Sequence, residues 1–185
     1  VQEANCHQLK KLTGEAHRYI AIDSGDLAIV EKLCLFPQTL DLKVGARVIL
    51  LKNMTEKLVN GSAGIVESFV KDQGGSISYP SVRFDNGMIQ TIWPEAWENE
   101  DRHGLILARR MQLPLDLAWA LSIHKSQGMT IEYVVIDCAQ IFAAGQLYVG
   151  VSRAKSPNGL QVLNFSRTKC IVDTAVTAFY EGLDS

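Results

Sequence analysis

Tyr133-Val-Val-Ile-Asp137 lies between two polar-tipped segments, Leu121-Ser-Ile-His-Lys-Ser-Gln-Gly128 and Tyr148-Val-Gly-Val-Ser-Arg-Ala154. The central run reads as a buried parallel strand, because apolar residues follow one another without alternation. An α/β domain carries a phosphate site at its rim where polar segments flank such a strand. The arrangement predicts nucleotide or nucleic-acid work.

Working outward, the region after Pro114 reads as α/β. A helix is expected to end at Gly128, and a second to span residues 143–154. A strand follows at Leu160-Gln-Val-Leu163, then a helix with Val172, Val176, Phe179 and Tyr180 on one face. Residues 1–36 have the same character. Asn5, Gln8, Leu9 and Leu12 suit a short helix ended by Gly14, Tyr19-Ile-Ala-Ile22 a strand, and residues 26–35 a helix before Pro37. Between them the pattern changes. Leu42-Lys-Val-Gly-Ala-Arg-Val-Ile-Leu-Leu51 is strand-rich, and Asn60-Gly-Ser-Ala-Gly64 and Gly74-Gly75 mark turns. Residues 81–92 read as a hairpin around Asp85-Asn-Gly87. Short strands spaced by glycine turns suggest a small barrel, with 105–111 as its last strand or return path. The expected organisation is an α/β domain, residues 1–40 and 111–185, interrupted by a β module at 41–110.

The chain has 185 residues, 47% of them hydrophobic and 21% charged, which is ordinary for a folded protein. A net charge of −2 is silent about nucleic acid, since a local basic strip would be averaged away. The four cysteines are far apart and form no C-x-x-C, so free thiols are expected rather than metal ligands or a disulfide framework. No apolar run approaches the roughly 20 residues of a membrane span. The start, Val1-Gln-Glu-Ala-Asn5, has neither signal- nor transit-peptide character. Without an initiator Met, it reads as a cut through a longer protein.

Each candidate functional group has a plainer alternative. Arg153 could meet a phosphate as a planar, permanently charged fork and stabilise charge developing on a γ-phosphate. It could equally be a surface arginine in a salt bridge. His124, Lys125, Ser126 and Gln127, followed by Gly128, carry groups typical of phosphate contacts, but the same run suits a solvated helix end with a glycine cap. Asp137 faintly resembles a strand-end magnesium ligand, but no Glu follows it and a strand-end Asp more often caps the next turn, so no metal ligand is expected. Trp93, Trp97, Phe84 and Tyr79, with Arg83 nearby, could stack bases or form hairpin packing. A phosphate-cradling G-x-x-x-x-G-K-[ST] loop is absent. Gly145 and Gly150 have that spacing but no lysine follows.

Longer stretches resemble the C-terminal half of the PIF (petite integration frequency) family of DNA helicases. Leu113-Pro-Leu-Asp-Leu-Ala-Trp-Ala-Leu-Ser-Ile-His-Lys-Ser-Gln-Gly-Met-Thr130 is similar to its motif V. Phe142-Ala-Ala-Gly-Gln-Leu-Tyr-Val-Gly-Val-Ser-Arg-Ala154 is similar to its motif VI. Leu42 to Asn53 and Leu58-Val-Asn-Gly-Ser-Ala-Gly64 match the entry to its SH3-like insert.

The resemblance implies a second RecA-like, parallel-sheet domain of the P-loop NTPase superfamily, without a Walker A loop and interrupted by a small SH3-like β-barrel. It implies ATP-driven 5′-to-3′ translocation and unwinding, including of G-quadruplexes, with Mg2+ as the companion of ATP. By motif match Arg153 would be the arginine finger. Gln127 and Gly128 would lie near the nucleotide, and Tyr148 would support the Arg153 helix. Ser122, His124, Lys125 and Ser126 would face single-stranded DNA, and Asn5 would belong to motif IV. The first RecA-like domain, absent from these residues, is the expected partner, so no nucleotide is expected to bind these residues alone. The setting would be intracellular, in the nucleus or mitochondrion of a eukaryote. Two other readings stand beside this one, a non-catalytic nucleic-acid or protein adaptor of the same fold and a RecD-like recombination subunit.

Overall fold

The structure is a computed structural model. It describes residues 1–182 except 73 and 76, and in the last helix it leaves out the side chains of residues 177, 180 and 181. It divides into two compact units, residues 1–120 and 121–185.

In the first unit, helix α1 (Gln2–Lys11) buries Asn5 and Leu9 and carries Lys10 and Lys11 in its last turn, where they complement the helix dipole. It stops at Leu12, short of the expected Gly14. Strands β1 (His17–Ile20) and β2 (Ile22–Gly25) follow. Helix α2 (Leu27–Leu33) is capped by Asp26, whose carboxylate accepts from the Ala28 and Ile29 amides. Strand β3 (Thr39–Leu42) then pairs antiparallel with β1. The N-terminal segment therefore has helices and strands but not the parallel pairing that α/β implies.

Strands β4 (Arg47–Leu50), β5 (Ala63–Lys71), β6 (Ser78–Phe84) and β7 (Ile89–Thr91) form an antiparallel meander. The expected hairpin is present. The Gly87 amide donates to the Phe84 carbonyl and Gly87 takes φ +85°, which a side chain would resist. Strands β8 (Glu95–Glu100) and β9 (Ile106–Gln112) pair with each other and, through β9, with β2. The last strand expected of the barrel thus lies in a separate three-stranded sheet. β10 (Leu115–Leu117) joins the larger sheet beside β4, giving the order β10-β4-β5-β6-β7.

Alternation explains the core of this unit. Val48, Leu50, Val66, Val82, Phe84 and Leu115 face inward with Leu42, Leu58 and Ile92. On β9, Arg110 is buried. Its guanidinium donates to both carboxylate oxygens of Asp23, at 2.7 and 2.6 Å, and to the Phe36 carbonyl at 2.9 Å.

The second unit holds the parallel pair. β11 (Val134–Asp137) lies alongside β12 (Leu160–Leu163). Between them run a 3-10 turn at Cys138–Gln140, helix α3 (Gln146–Val151) and a second 3-10 turn at Pro157–Gly159. A third such turn at Arg167–Lys169 precedes helix α4 (Thr174–Glu181). Ile136, Cys138 and Ile141 form the core, with Ile123, Leu147 and Val162 packed against it.

Several expectations change here. The segment before Gly128 is a chain of tight turns rather than a helix. Leu115–Leu117 is committed to the antiparallel sheet, and the Ala118 amide donates to the Arg47 carbonyl. The few residues left are too short to repay helix nucleation. The central strand is half-buried, with Ile136 inside and Val135 on the outer face, as period-2 alternation dictates when one face is covered. α3 spans six residues rather than twelve, because Gly145, at φ +71°, starts it late and Val-Gly-Val propagates a helix poorly. Val172 precedes α4, and Val172, Val176 and Phe179 are exposed. The Tyr180 side chain lies outside the described residues.

The Asp23–Arg110 pair gives a pH-dependent prediction. Hydrogen bonding from Arg110 holds the Asp23 carboxyl below the ordinary carboxylate range. Its contribution is therefore full above about pH 4, the unfolded value, and is lost as pH falls through the lower folded value. Asp23→Asn should lower the unfolding free energy at pH 7 by about 3 kcal/mol, since it strands a buried guanidinium. It should also weaken the pH dependence in acid, as read by urea denaturation from pH 3 to 7.

Candidate nucleotide and nucleic-acid site

The second unit brings the two sequence motifs together, beginning at Gly150. A Cβ built there would stand 3.3 Å from Ile136 Cδ1 and 3.5 Å from Ile123 Cδ1. The missing side chain lets α3 approach both the strand and the turn segment. Beyond α3 the chain forms a parallel rung with the end of the first motif. The Ile131 amide donates to the Arg153 carbonyl at 2.8 Å, and the Lys155 amide to the Ile131 carbonyl at 2.9 Å.

Arg153 lies two residues past the end of α3, not within it as expected. Its half-buried side chain folds back over the helix end. Nε donates to the Val149 carbonyl at 3.0 Å, Nη1 to the Met129 carbonyl at 3.2 Å, and Nη2 to Ser152 Oγ at 2.9 Å. These partners are neutral oxygens, and among the described residues no carboxylate forms an ion pair with Arg153. The salt-bridge alternative therefore has no support here. A guanidinium held by neutral acceptors keeps its full charge and can attract an anion.

The first motif is a compact turn. Ser126 is buried and its hydroxyl donates to the Ile123 carbonyl at 2.8 Å. Ser122 Oγ accepts from the Lys125 amide at 3.4 Å. The Gln127 amide donates to the His124 carbonyl and the Met129 amide to the Ser126 carbonyl. His124 and Gln127 are exposed and Lys125 is half-buried. Gly128 has φ +78° and open space around its Cα, so its backbone conformation, rather than a close approach, requires glycine. Tyr148 is 73% exposed, and its carbonyl accepts from the Ser152 amide. Its ring gives α3 little packing within this unit.

Asn5 belongs to the first unit, and both its amide protons and its carbonyl oxygen are engaged. Nδ2 donates to the Leu117 and Ala120 carbonyls at 3.1 and 2.9 Å, and Oδ1 accepts from the Ala120 amide at 2.8 Å. Asn5 thus clamps the end of the chain segment that leads into the first motif. The aromatic residues do not form one platform. Phe84 is core, Trp97 lies on β8, and Arg83 is paired with Glu67, whereas Tyr79 and Trp93 meet at 4.7 Å between ring centroids.

Asp137 acts as a cap. Its Oδ1 accepts from Asn164 Nδ2 and from the Ala139 amide, and these bonds hold its carboxyl below the usual range. Among the described residues no group of three metal-ligating side chains is assembled. Sequence reasoning missed Ser152, Met129 and Val149 as the setting of Arg153. The adjacency of Ser152 was a readable hint, whereas backbone carbonyls carry no signal in residue type.

Comparison with known proteins gives the family. Residues 28–69 match the family model described as DNA helicase Pif1, 2B domain, and residues 117–157 match the UvrD-like helicase C-terminal domain. The chain is therefore of the helicase class whose motors use the RecA-like fold. It belongs to the PIF family of DNA helicases. It is 43% identical over 183 residues to the ATP-dependent DNA helicase PIF1 of Homo sapiens, covering 97% of this chain and 28% of that one. The crystal structure of Pif1 helicase from Candida albicans superposes with a TM-score of 0.84 at 40% identity, covering 99% of this chain and 47% of that one. Bacteroides Pif1 in complex with ADP-AlF3 and ssDNA gives 0.71 at 28% identity, covering 98% and 42%. The chain thus spans about a third of the length of the curated relatives it matches.

Two substitutions test this geometry. Asn5→Ala should cost about 2 kcal/mol, because it leaves the buried Leu117 carbonyl and the Ala120 groups without partners. Gly150→Val should destabilise the second unit by about 1–3 kcal/mol through overpacking against Ile136 and Ile123. Thermal denaturation followed by near-UV circular dichroism reads both. An unchanged midpoint for either variant would contradict the packing described.

Proposed function

We propose that this chain is the C-terminal part of an ATP-dependent DNA helicase that moves 5′ to 3′ on single strands and unwinds duplexes and G-quadruplexes. In this reading residues 1–40 and 111–185 make up the second RecA-like domain, and residues 41–110 an SH3-like barrel inserted in it. The antiparallel run β4 to β7 supports a β insert within residues 41–110, and the match over residues 117–157 supports a helicase motor segment after it. The first RecA-like domain would complete the ATP cleft.

One observation carries the proposal. Arg153 is half-buried, held by three neutral oxygens and joined to the first motif through the Met129 carbonyl, and among the described residues no carboxylate pairs with it. Such a guanidinium suits the terminal phosphate of ATP, where it would stabilise charge developing during transfer. Gln127 and Gly128 would lie near the nucleotide, beside Arg153, and Tyr148 on α3 close to it. Ser122, His124, Lys125 and Ser126 would contribute to the single-strand track, with His124 and Lys125 the better placed for direct phosphate contact. Asn5 would act there by holding the segment that leads into the track. Mg2+ would accompany the nucleotide with ligands outside this chain, since Asp137 is engaged as a cap.

Arg153→Ala in the complete helicase should lower ATP turnover by about a thousandfold or more and leave single-strand binding within about twofold. Near-wild-type turnover would refute the finger role. The 185-residue chain alone should show no ATP turnover and should bind single strands weakly, with affinity falling steeply between 50 and 200 mM salt. Affinity equal to that of the complete helicase would contradict the proposed division of the track.

A further inference from the structure

Around Arg153, one of the three groups that hold the guanidinium is a side chain. The Ser152 hydroxyl donates to the Val149 carbonyl at 3.0 Å and accepts from Arg153 Nη2 at 2.9 Å. A serine hydroxyl has a single proton. Because that proton is committed to Val149, the lone pairs of Oγ are left facing the guanidinium. The same Val149 carbonyl accepts from Arg153 Nε, so Ser152, Val149 and Arg153 close a small ring of hydrogen bonds at the end of α3. Ser152 is itself fixed. Its amide donates to the Tyr148 carbonyl, and its backbone, at φ −69° and ψ −6°, is still helical.

A guanidinium carries five N–H groups. The three contacts above use one on each nitrogen, which leaves one on each terminal nitrogen, and among the described residues no further acceptor meets either. Two N–H groups on adjacent nitrogens of a fixed plane suit two oxygens of one phosphoryl group. Without Ser152 the plane would be held by Nε and Nη1 alone, and Nη2 would turn toward water.

We propose that Ser152 is a positioning residue for Arg153, fixing the guanidinium plane so that both terminal N–H groups face the transferring phosphate. This rests on the finger role of Arg153 given above. Ser152 touches neither nucleotide nor DNA in this account and acts through Arg153. Its effect therefore belongs to the chemical step, where a misplaced charge costs rate, and not to the binding of ATP.

The test is single-strand-stimulated ATPase kinetics on the complete helicase with Ser152→Ala, Ser152→Thr and Arg153→Ala. Ser152→Ala should lower kcat about tenfold, with KM for ATP, the Kd for single strands and Tm near wild type. Ser152→Thr, which keeps the hydroxyl, should restore most of kcat, and Arg153→Ala should abolish turnover. Turnover lost in Arg153→Ala but unchanged in Ser152→Ala would overturn the Ser152 role alone. A loss in Ser152→Ala that threonine does not rescue, or that comes with a matching rise in KM or fall in Tm, would make the residue merely structural and overturn it too. Near-wild-type turnover in Arg153→Ala would overturn the finger reading, and this proposal with it.

Discussion

The close approach of helix α3 to strand β11 at Gly150 governs the candidate site. With hydrogen in place of a side chain, the helix comes within van der Waals reach of Ile136 on the strand and Ile123 in the turn segment. That contact places the end of α3 beside Met129, and Arg153 can then cap two carbonyls from different motifs with one guanidinium. The Ile131 rung adds backbone pairing to the same junction. Packing comes first, and the polar arrangement follows from it. A larger residue at Gly150 would push the helix end away and leave Arg153 with fewer partners.

Among the buried polar side chains of the first unit, Asn5 and Arg110 work in different ways. Asn5 uses an uncharged amide to satisfy backbone groups at Leu117 and Ala120, which fixes the segment after β10 without carrying charge into the interior. Arg110 and Asp23 do carry charge inside. The pair is stable because both carboxylate oxygens and the Phe36 carbonyl share the guanidinium donors. Around these, the antiparallel sheet buries its apolar face by simple alternation.

Much of this was legible in the residues. Glycine turns and alternating apolar positions announced the hairpin at residues 85–87 and the β-rich middle of the chain. The parallel strand was legible to within a residue, and the length of the motif resemblance pointed to the family. The helix expected before Gly128 was not realised, because Leu115–Leu117 found a partner in β4. That pairing is non-local, and no periodicity within the segment reveals it. The separation of β9 from the five-stranded sheet was hidden for the same reason. At the candidate site, the residue types marked Arg153 and its motif but not how it is held. Two of its three partners are carbonyls that every residue possesses.

The sequence by itself determined the family, the place of the parallel strand, and which residue types have the chemistry to contact a phosphate. It did so because side-chain chemistry and local spacing are written in the order of residues. Tertiary structure decided which of those groups are free to act. Ser126 is turned inward, Asn5 is consumed as a clamp, and Arg153 is left charged among neutral oxygens. Those outcomes depend on which carbonyls and apolar surfaces folding brings together across long stretches of chain, as with Arg153 and Met129, 24 residues apart.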